Sequence, residues 1–439
     1  MSGGLILAAP ASGSGKTVVT LGLLRHLARA GLDIASAKAG PDYIDPSFHA
    51  AASGTSCLNL DPWAMRRITL QGLVAQLGRR AEHVVCEGVM GLFDGGGTSA
   101  AGSTADLAAL TGWPVVLIVD ASGQGASAAA LVRGFAMHRP DIALAGVVFN
   151  RVSSARHRTI LEDALAAALP DLPVLGAVPR DDGLALPERH LGLVPAGEHA
   201  ALDAFLDRAA DHVGSAIDIA ALLALARPSS LPMPTDRVQP LAPLGRHIAV
   251  ARDAAFAFLY PAILEGWMRG GAELSFFSPL ADEAPAAAVD AVYLPGGYPE
   301  LHAGALAGNS KFLAGLRAAA ERRATIYGEC GGYMALGEAL IDGSGRSHPM
   351  AGLLPLVTSF AARRRHLGYR ACRLAADSPL GAAGARFRGH EFHYASIVSE
   401  GRAERLFEVA DIDGEPLGAA GLRVGSVMGS YLHLVDRAD

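Results

Sequence analysis

Cysteine is scarce in this sequence, and the four present, Cys57, Cys86, Cys330 and Cys372, stand far apart without a C-x-x-C pair. That distribution argues against a disulfide framework and against a zinc site. Long apolar runs are missing as well: none reaches membrane length, and the N-terminus enters a strand-like segment with no charged leader or cleavage site. A cytoplasmic protein without a membrane partner is expected. Nor is positive charge in excess. A net charge of −6 argues against non-specific nucleic-acid binding, so any anionic ligand must be met by local cations. Charged residues make up only 18% and hydrophobic ones 51%, the balance of a soluble α/β enzyme rather than of a disordered or fibrous chain. At 439 residues the chain exceeds one compact core and should form two or three domains; no internal repeat is evident.

What is present starts with Leu5 to Leu24. Leu5, Ile6 and Leu7 read as a buried strand, and Val18, Val19, Leu21, Leu23, Leu24 and Leu27 recur at helical spacing until Gly31 stops them. The small-residue loop between them ends in Gly15-Lys16-Thr17. A glycine-rich turn at a helix N-terminus aims backbone N–H groups at one point, which suits the phosphates of a nucleotide. Gly13, Ser14, Gly15, Lys16 and Thr17 are therefore the expected ATP-binding set, with Lys16 on the β and γ phosphates and the Thr17 hydroxyl on Mg²⁺. Pro10 occupies the place of the usual first glycine of G-x-x-x-x-G-K-T, so the loop should be entered differently.

Further strands end in chemistry-bearing residues. Asp33 to Ala39 runs into a loop, Lys38 to Pro46, whose two prolines and glycine imply rigidity at a strand's C-terminal end, where open α/β sheets bind ligands. Lys38 is placed to neutralise a transferring phosphoryl group and Asp45 to hold Mg²⁺. His83 to Cys86 leads to Glu87, an acid at a strand tip like a Walker B carboxylate and a third metal-ligand candidate beside Thr17 and Asp45. The glycine-rich tail that follows carries Phe93 and Asp94, the latter expected near substrate. Pro114 to Asp120 and Ile142 to Asn150 are near-continuous apolar strands of the kind found in a parallel sheet covered on both faces. Asn150, at its strand tip, is expected to meet the nucleotide base. Leu172 to Pro179 closes the series before Arg180, a candidate for an anionic ligand.

Between residues 227 and 245 the composition turns proline-rich without hydrophobic period, which reads as a stiff linker separating a first domain, 1–226, from a second, 246–439. The second restarts an α/β pattern with strands at His247–Ala251, Glu273–Pro279, Ala291–Leu294 and Ala324–Tyr327. Cys330 lies between small residues in Gly328-Glu329-Cys330-Gly331-Gly332, a strand-to-helix elbow that exposes a nucleophile and lets a helix N-terminus lower its pKa. Backbone N–H groups at Gly297 and Gly331 would form an oxyanion hole. His433, expected at the tip of a strand spanning Gly425 to Tyr431, is the candidate base.

These motifs, with A-P-A-S-G-S-G-K-T, K-A-G-P-D-Y-I-D-P, E-G-V-M-G-L-F-D-G, L-P-G-G-Y-P-E, Y-G-E-C-G-G-Y-M, G-H-E-F-H-Y (Gly389 to Tyr394) and G-S-Y-L-H in that order, resemble the cobyrinate or hydrogenobyrinate a,c-diamide synthase family of cobalamin biosynthesis over nearly the whole chain. The resemblance implies an N-terminal dethiobiotin-synthetase-like P-loop domain and a C-terminal class I, triad-type glutaminase domain. It implies Cys330 as glutaminase nucleophile and His433 as its base. Related glutaminases carry a glutamate two residues after the histidine; this sequence has Val435 there, and no third member is assigned. ATP, glutamine and Mg²⁺ would serve to activate the a and c carboxylates of a corrinoid as acyl phosphates and to amidate them with glutamine-derived ammonia. General similarity to family members carrying the Tyr43-to-His49 loop favours hydrogenobyrinate over cobyrinate. A homodimer is compatible with the sequence. The rival readings are a cobyric acid synthase-type amidation of other carboxylates, and a ParA/MinD-like ATPase switch. The switch class carries a signature lysine where this chain has Ala11, and has no use for Cys330 or His433.

Overall fold

The computed structural model describes residues 2–189, 192–199, 201–234 and 239–438. It divides into two compact units, Met1–Trp63 with Arg67–Arg237, and Ala64–Arg66 with Val238–Asp439.

The first unit is built on seven parallel strands, β1 (Gly3–Ala8), β2 (Ile34–Ala39), β3 (Leu58–Leu60), β4 (His83–Glu87), β5 (Val115–Asp120), β6 (Leu144–Val152) and β7 (Val174–Pro179), in the order β3-β2-β4-β1-β5-β6-β7. Their apolar side chains are buried on both faces, as the continuous runs of Val, Leu and Ile require. Strand order reverses at β1, which lies between β4 and β5, and the loops leaving these strands share one edge of the sheet. Helix α1 (Lys16–Arg29) follows β1 and buries Val19, Leu23, Leu24 and Leu27; Gly22 allows it against the helix Leu202–Ala216, since a Cβ there would lie 2.5 Å from the Ala209 carbonyl oxygen.

Two local outcomes differ from the sequence reading. The Lys38–Pro46 segment is not loop throughout: helix α2 (Asp45–Ser53) begins within it, because the Asp42 carboxylate accepts the N–H groups of Ile44 and Asp45 and Pro46 pre-sets the first turn. Strand β6 continues past Asn150 through a register shift that leaves Arg151 at φ 59°. A two-residue ribbon, β8 (Glu188–Arg189) with β9 (Gly192–Leu193), follows β7.

In the second unit β10 (His247–Ala251), β11 (Glu273–Phe277), β12 (Ala291–Leu294) and β13 (Thr325–Glu329) are parallel. Strands β14 (Ala339–Ile341), β15 (Ser347–Pro349) and β16 (Leu356–Ser359) open a small sheet that is completed later by β19 (Ser396–Glu400). Between them β17 (His366–Leu374) and β18 (Arg386–His393) form an antiparallel pair. After β19 come β20 (Glu404–Ala410), β21 (Pro416–Val424), β22 (Val427–Ser430) and β23 (Leu432–Arg437), giving a ten-stranded mixed sheet in the order β11-β10-β12-β13-β22-β21-β20-β17-β18-β23. His433 therefore sits inside β23, opposite His390 of β18, rather than at the tip of the preceding strand. The chain turns at Tyr431 because β22 pairs in parallel with β13 while β23 leaves to pair with β18.

The proline-rich stretch is tied down at both ends. Arg227 exchanges backbone hydrogen bonds with Gly4, and the Ser230 N–H donates to the Thr111 carbonyl at 2.7 Å, within the first unit. The Gln239 side chain donates to the Gly266 carbonyl at 3.0 Å in the second. Residues 235–238 of the expected linker lie outside the described residues. Among the described residues no helix is long and apolar enough to cross a membrane.

Candidate active sites

In the first unit the loop between β1 and α1 winds through Gly13 and Gly15, at φ 80° and 84°, conformations that only glycine takes without strain. Asn150 braces it. Its amide donates to the Ser14 carbonyl at 2.9 Å, and a Cβ on Gly15 would fall 2.2 Å from the same nitrogen. The expected base-reading residue thus has its amide committed to the phosphate loop. The loop, with Lys16, Thr17, Asn150, Arg151 and Arg180, lines a cleft of about 520 Å³. Arg151, which sequence reasoning did not single out, pairs with Asp120 at the tip of β5 and sits in a backbone region costly for a non-glycine residue, as functional sites often impose.

Beside the loop lies a buried ionic cluster centred on Glu87. Parallel pairing sets Lys38 of β2 directly beside Glu87 of β4. Lys38 Nζ donates to Asp45 Oδ2 at 2.6 Å and to Glu87 Oε1 at 2.9 Å, and the same oxygen accepts from Thr17 Oγ1 at 2.7 Å and Lys16 Nζ at 3.2 Å. Glu87 Oε2 meets His49 Nε2 at 2.7 Å, and Cys57 Sγ lies 3.5 Å from His49 Nδ1. Burial alone would raise Glu87, yet Lys38, Lys16 and His49 together hold it well below the usual carboxylate range. Burial likewise disfavours the Lys38 ammonium, and Asp45 and Glu87 overcome that and raise it. Lys16 goes the other way, lowered by burial and by Lys38. His49 is raised to about 10, burial being outweighed by Cys57 and Glu87. His49 escaped the sequence reading, although it stands four residues after Asp45 and so shares its face of α2. Asp94 is not in this cluster: it is exposed and its carboxylate accepts the Gly91 N–H at 2.9 Å, shaping its own loop.

The oxygens of Thr17, Asp45 and Glu87 are hard donors of the kind that Mg²⁺ prefers, and the two carboxylates already share one cation, the Lys38 ammonium. The residue types therefore fit a magnesium ion.

In the second unit Cys330 occupies the turn between β13 and the helix Gly331–Leu336, at φ 47° and ψ −104°, the strained elbow that its neighbours suggested. The flanking glycines are obligatory: a Cβ on Gly332 would lie 2.0 Å from the Leu294 carbonyl oxygen. The loop after β12 joins the pieces. A Cβ on Gly296 would lie 2.4 Å from His433 Cε1, and one on Gly331 would lie 3.1 Å from the Gly297 amide nitrogen. Two consecutive residues thus touch the imidazole and the elbow, and the Gly297 amide faces the turn that carries the thiol.

Both groups are almost wholly buried, Cys330 at 1% and His433 at 0% exposure. Here the expectation of a lowered thiol pKa is corrected: burial, reinforced by the Glu300 carboxylate, pushes the Cys330 thiol up, and the N–H of Gly331 does not outweigh them. Burial, with His390 and His393 nearby, pushes His433 down to about 3. The resting pair is a neutral thiol and a neutral imidazole, so His433 is poised to accept a proton as sulfur attacks. Glu329, one residue before the nucleophile, was quoted in the motif without a role; its Oε2 lies 3.8 Å from His433 Nδ1. Glu391 and His393 of the G-H-E-F-H-Y motif bond each other at 3.0 Å, and His393 stacks on Tyr431 with ring centres 3.9 Å apart.

A phosphate-loop cleft in one unit and a thiol elbow in the other define a class, the glutamine-dependent amide-forming ligases that join a nucleotide-binding domain to an amidotransferase domain. Residues 5–194 match the model of the CobQ/CobB/MinD/ParA nucleotide binding domain, and residues 247–439 that of the CobB/CobQ-like glutamine amidotransferase domain. Proteins named hydrogenobyrinate a,c-diamide synthase are similar over 99% of this chain: that of Brucella anthropi at 56% identity and that of Brucella suis at 57%, each over 98% of its own length. The protein of that name from a Sinorhizobium species is 54% identical over 99% of both chains. The chain belongs to the hydrogenobyrinate a,c-diamide synthase family.

Proposed function

We propose that this protein amidates the a and c side-chain carboxylates of hydrogenobyrinate, using ATP to activate each acid and glutamine to supply nitrogen. Residues 1–226 serve as the amidoligase domain, 227–245 as linker and 246–439 as glutaminase domain. The observation that carries the reading is the presence in one chain of both stations, the Lys16–Lys38–Glu87 cluster beside a nucleotide-sized cleft and the Cys330 elbow.

Gly13 to Thr17 cradle the triphosphate, and Asn150 holds the loop and borders the nucleotide. A substrate carboxylate oxygen attacks the γ-phosphorus, the bond to the β-phosphate oxygen breaks, and ADP leaves; Lys16 and Lys38 neutralise the charge that develops. Mg²⁺, held by Thr17, Asp45 and Glu87, would offset phosphate charge when bound. Asp94, on its glycine-rich loop, faces the macrocycle. In the second domain Cys330 sulfur attacks the glutamine amide carbon while the Gly297 and Gly331 N–H groups stabilise the oxyanion, and His433 passes the thiol proton to the departing ammonia. Water hydrolyses the resulting thioester to glutamate. Ammonia attacks the acyl phosphate carbon, and phosphate leaves. No nucleic acid or membrane takes part, and the setting is cytoplasmic.

The test is mass spectrometry of the product formed from hydrogenobyrinate, ATP and glutamine. Two added amides are expected. Four would indicate the cobyric acid synthase-type reaction, turnover with cobyrinate alone would reverse the choice of macrocycle, and nucleotide hydrolysis without amidation would point to a switch ATPase.

The seating of His433 gives a second check. Gly296→Ala puts a methyl 2.4 Å from His433 Cε1 and must displace the ring. A misplacement of about 1 Å costs on the order of 10²-fold in rate. Glutamine-supported turnover should fall by that order while ammonia-supported turnover persists, measured as product formed with either nitrogen source.

A further inference from the structure

The residue two places after His433 is Val435, 2% exposed and apolar, and the one acid of that strand, the buried Asp436, is engaged by Arg66 at 2.8 Å. An acid reaches the imidazole from another direction. Glu329 ends β13 immediately before the nucleophile and is 1% exposed. Its carboxylate is fixed on two sides: Oε1 accepts the Leu434 N–H at 3.1 Å, and Oε2 accepts the Tyr293 hydroxyl at 2.8 Å. The first of these bonds comes from the residue next to His433, so it locks the carboxylate to the strand that carries the imidazole. Oε2 then lies 3.8 Å from Nδ1, with the Phe258 ring 6.4 Å from the imidazole and Gly296 against its Cε1. We propose that Glu329 is the positioning residue of the glutaminase, orienting His433 through Nδ1 and balancing the imidazolium that forms when Nε2 takes the thiol proton.

This role rests on the glutaminase reading above. The geometry suits it because hydrogen bonds of this type are commonly long before substrate binds and tighten when charge appears. In this buried pocket a carboxylate close to the ring is needed for an imidazolium to form, and Glu329 at 3.8 Å acts there beside Glu391, which also favours the charged ring. The titratable groups facing Glu329 are Tyr293 on β12, Tyr327 on β13, Cys330 just after it, Cys372 on β17 and His433 on β23, and His433 is faced in addition by His390, Glu391 and His393 of β18. Burial raises Glu329 to about 7 against the hydrogen bonds from Leu434 and Tyr293. Its carboxylate form is therefore lost as pH falls through that value, and glutamine-dependent kcat/KM should carry an acid limb there.

The test compares the full-length wild type with Glu329→Gln, using glutamine or ammonium as nitrogen source. The expected result is a fall in glutamine-dependent kcat of at least about 10²-fold with KM for glutamine little changed, as when an orienting carboxylate is replaced by its amide. Ammonia-supported turnover should be unchanged and the acid limb near neutral pH should disappear. Unchanged glutamine turnover, or an acid limb that stays in place, overturns the role. If E329Q also loses ammonia-supported turnover, the decision passes to E329D: glutamine turnover reduced at least about tenfold with ammonia turnover kept supports the role, and unreduced glutamine turnover overturns it. A wild type that does not hydrolyse glutamine would sink the glutaminase reading itself, which separates the two failures.

Discussion

Replacing Cys330 with alanine is expected to reduce glutamine-supported amidation by roughly 10⁶-fold, the order seen when a hydrolase loses its nucleophile, while amidation from added ammonium continues. The thiol sits at a strained elbow, φ 47° and ψ −104°, and the Cys330 N–H is fixed to the Ser430 carbonyl at 2.8 Å. Alanine removes the sulfur without disturbing that bond. The change should cost little stability, because Cys330 packs among apolar and aromatic side chains and offers no strong hydrogen bond of its own beyond a 4.0 Å contact to the Phe392 carbonyl. Glutamate release and ammonia-dependent product formation, measured on one preparation, separate the two stations. Equal loss of both activities would mean that Cys330 serves the fold and not the chemistry.

Lys38→Met should have the opposite signature: glutamine hydrolysis kept, ATP-dependent amidation lost from either nitrogen source, and the first unit strongly destabilised. Lys38 is 2% exposed, and its ammonium is shared by Asp45 and Glu87, which would be left facing each other in a buried site. Removing one partner of a buried ionic cluster costs about 3–5 kcal/mol. Adding Asp45→Asn should restore much of the stability by deleting the surplus charge, and it should not restore amidation, since the cation meant for the transferring phosphoryl group is still absent. Thermal unfolding with parallel assays checks both halves. The same cluster sets an acid limit on the fold. Glu87 is lowered below its ordinary value of 4.5, so the stability it supplies is fully present above that pH and drains away as pH falls through the lowered native value.

Much of this architecture was legible in local pattern. The strands preceding Pro10, Lys38, Glu87 and Asp120 were readable from apolar runs, and the phosphate loop and the elbow from small residues placed between a strand and a helix. Other features could not be read that way. His49 looked like part of a loop until the Asp42 cap started α2 early and carried it onto the Asp45 face. Arg151 gained its place only through the irregularity in β6. Glu329 sits 104 positions from His433, and only the divergence of β22 and β23 brings its carboxylate beneath the imidazole. The thiol was expected to be acidified by the helix that follows it; that helix is six residues long, and burial prevails.

By itself the sequence determined which backbone segments form strands, helices and glycine turns, and which residue types stand at their ends, because those follow from side-chain periodicity and from φ preferences within a few residues. Only the tertiary structure decided which ends meet and with what charge. Sheet register sets Lys38 beside Glu87 and lays β23 along β18, and desolvation, a property of the packed interior, raises Cys330, lowers His433 and leaves buried lysines dependent on buried acids.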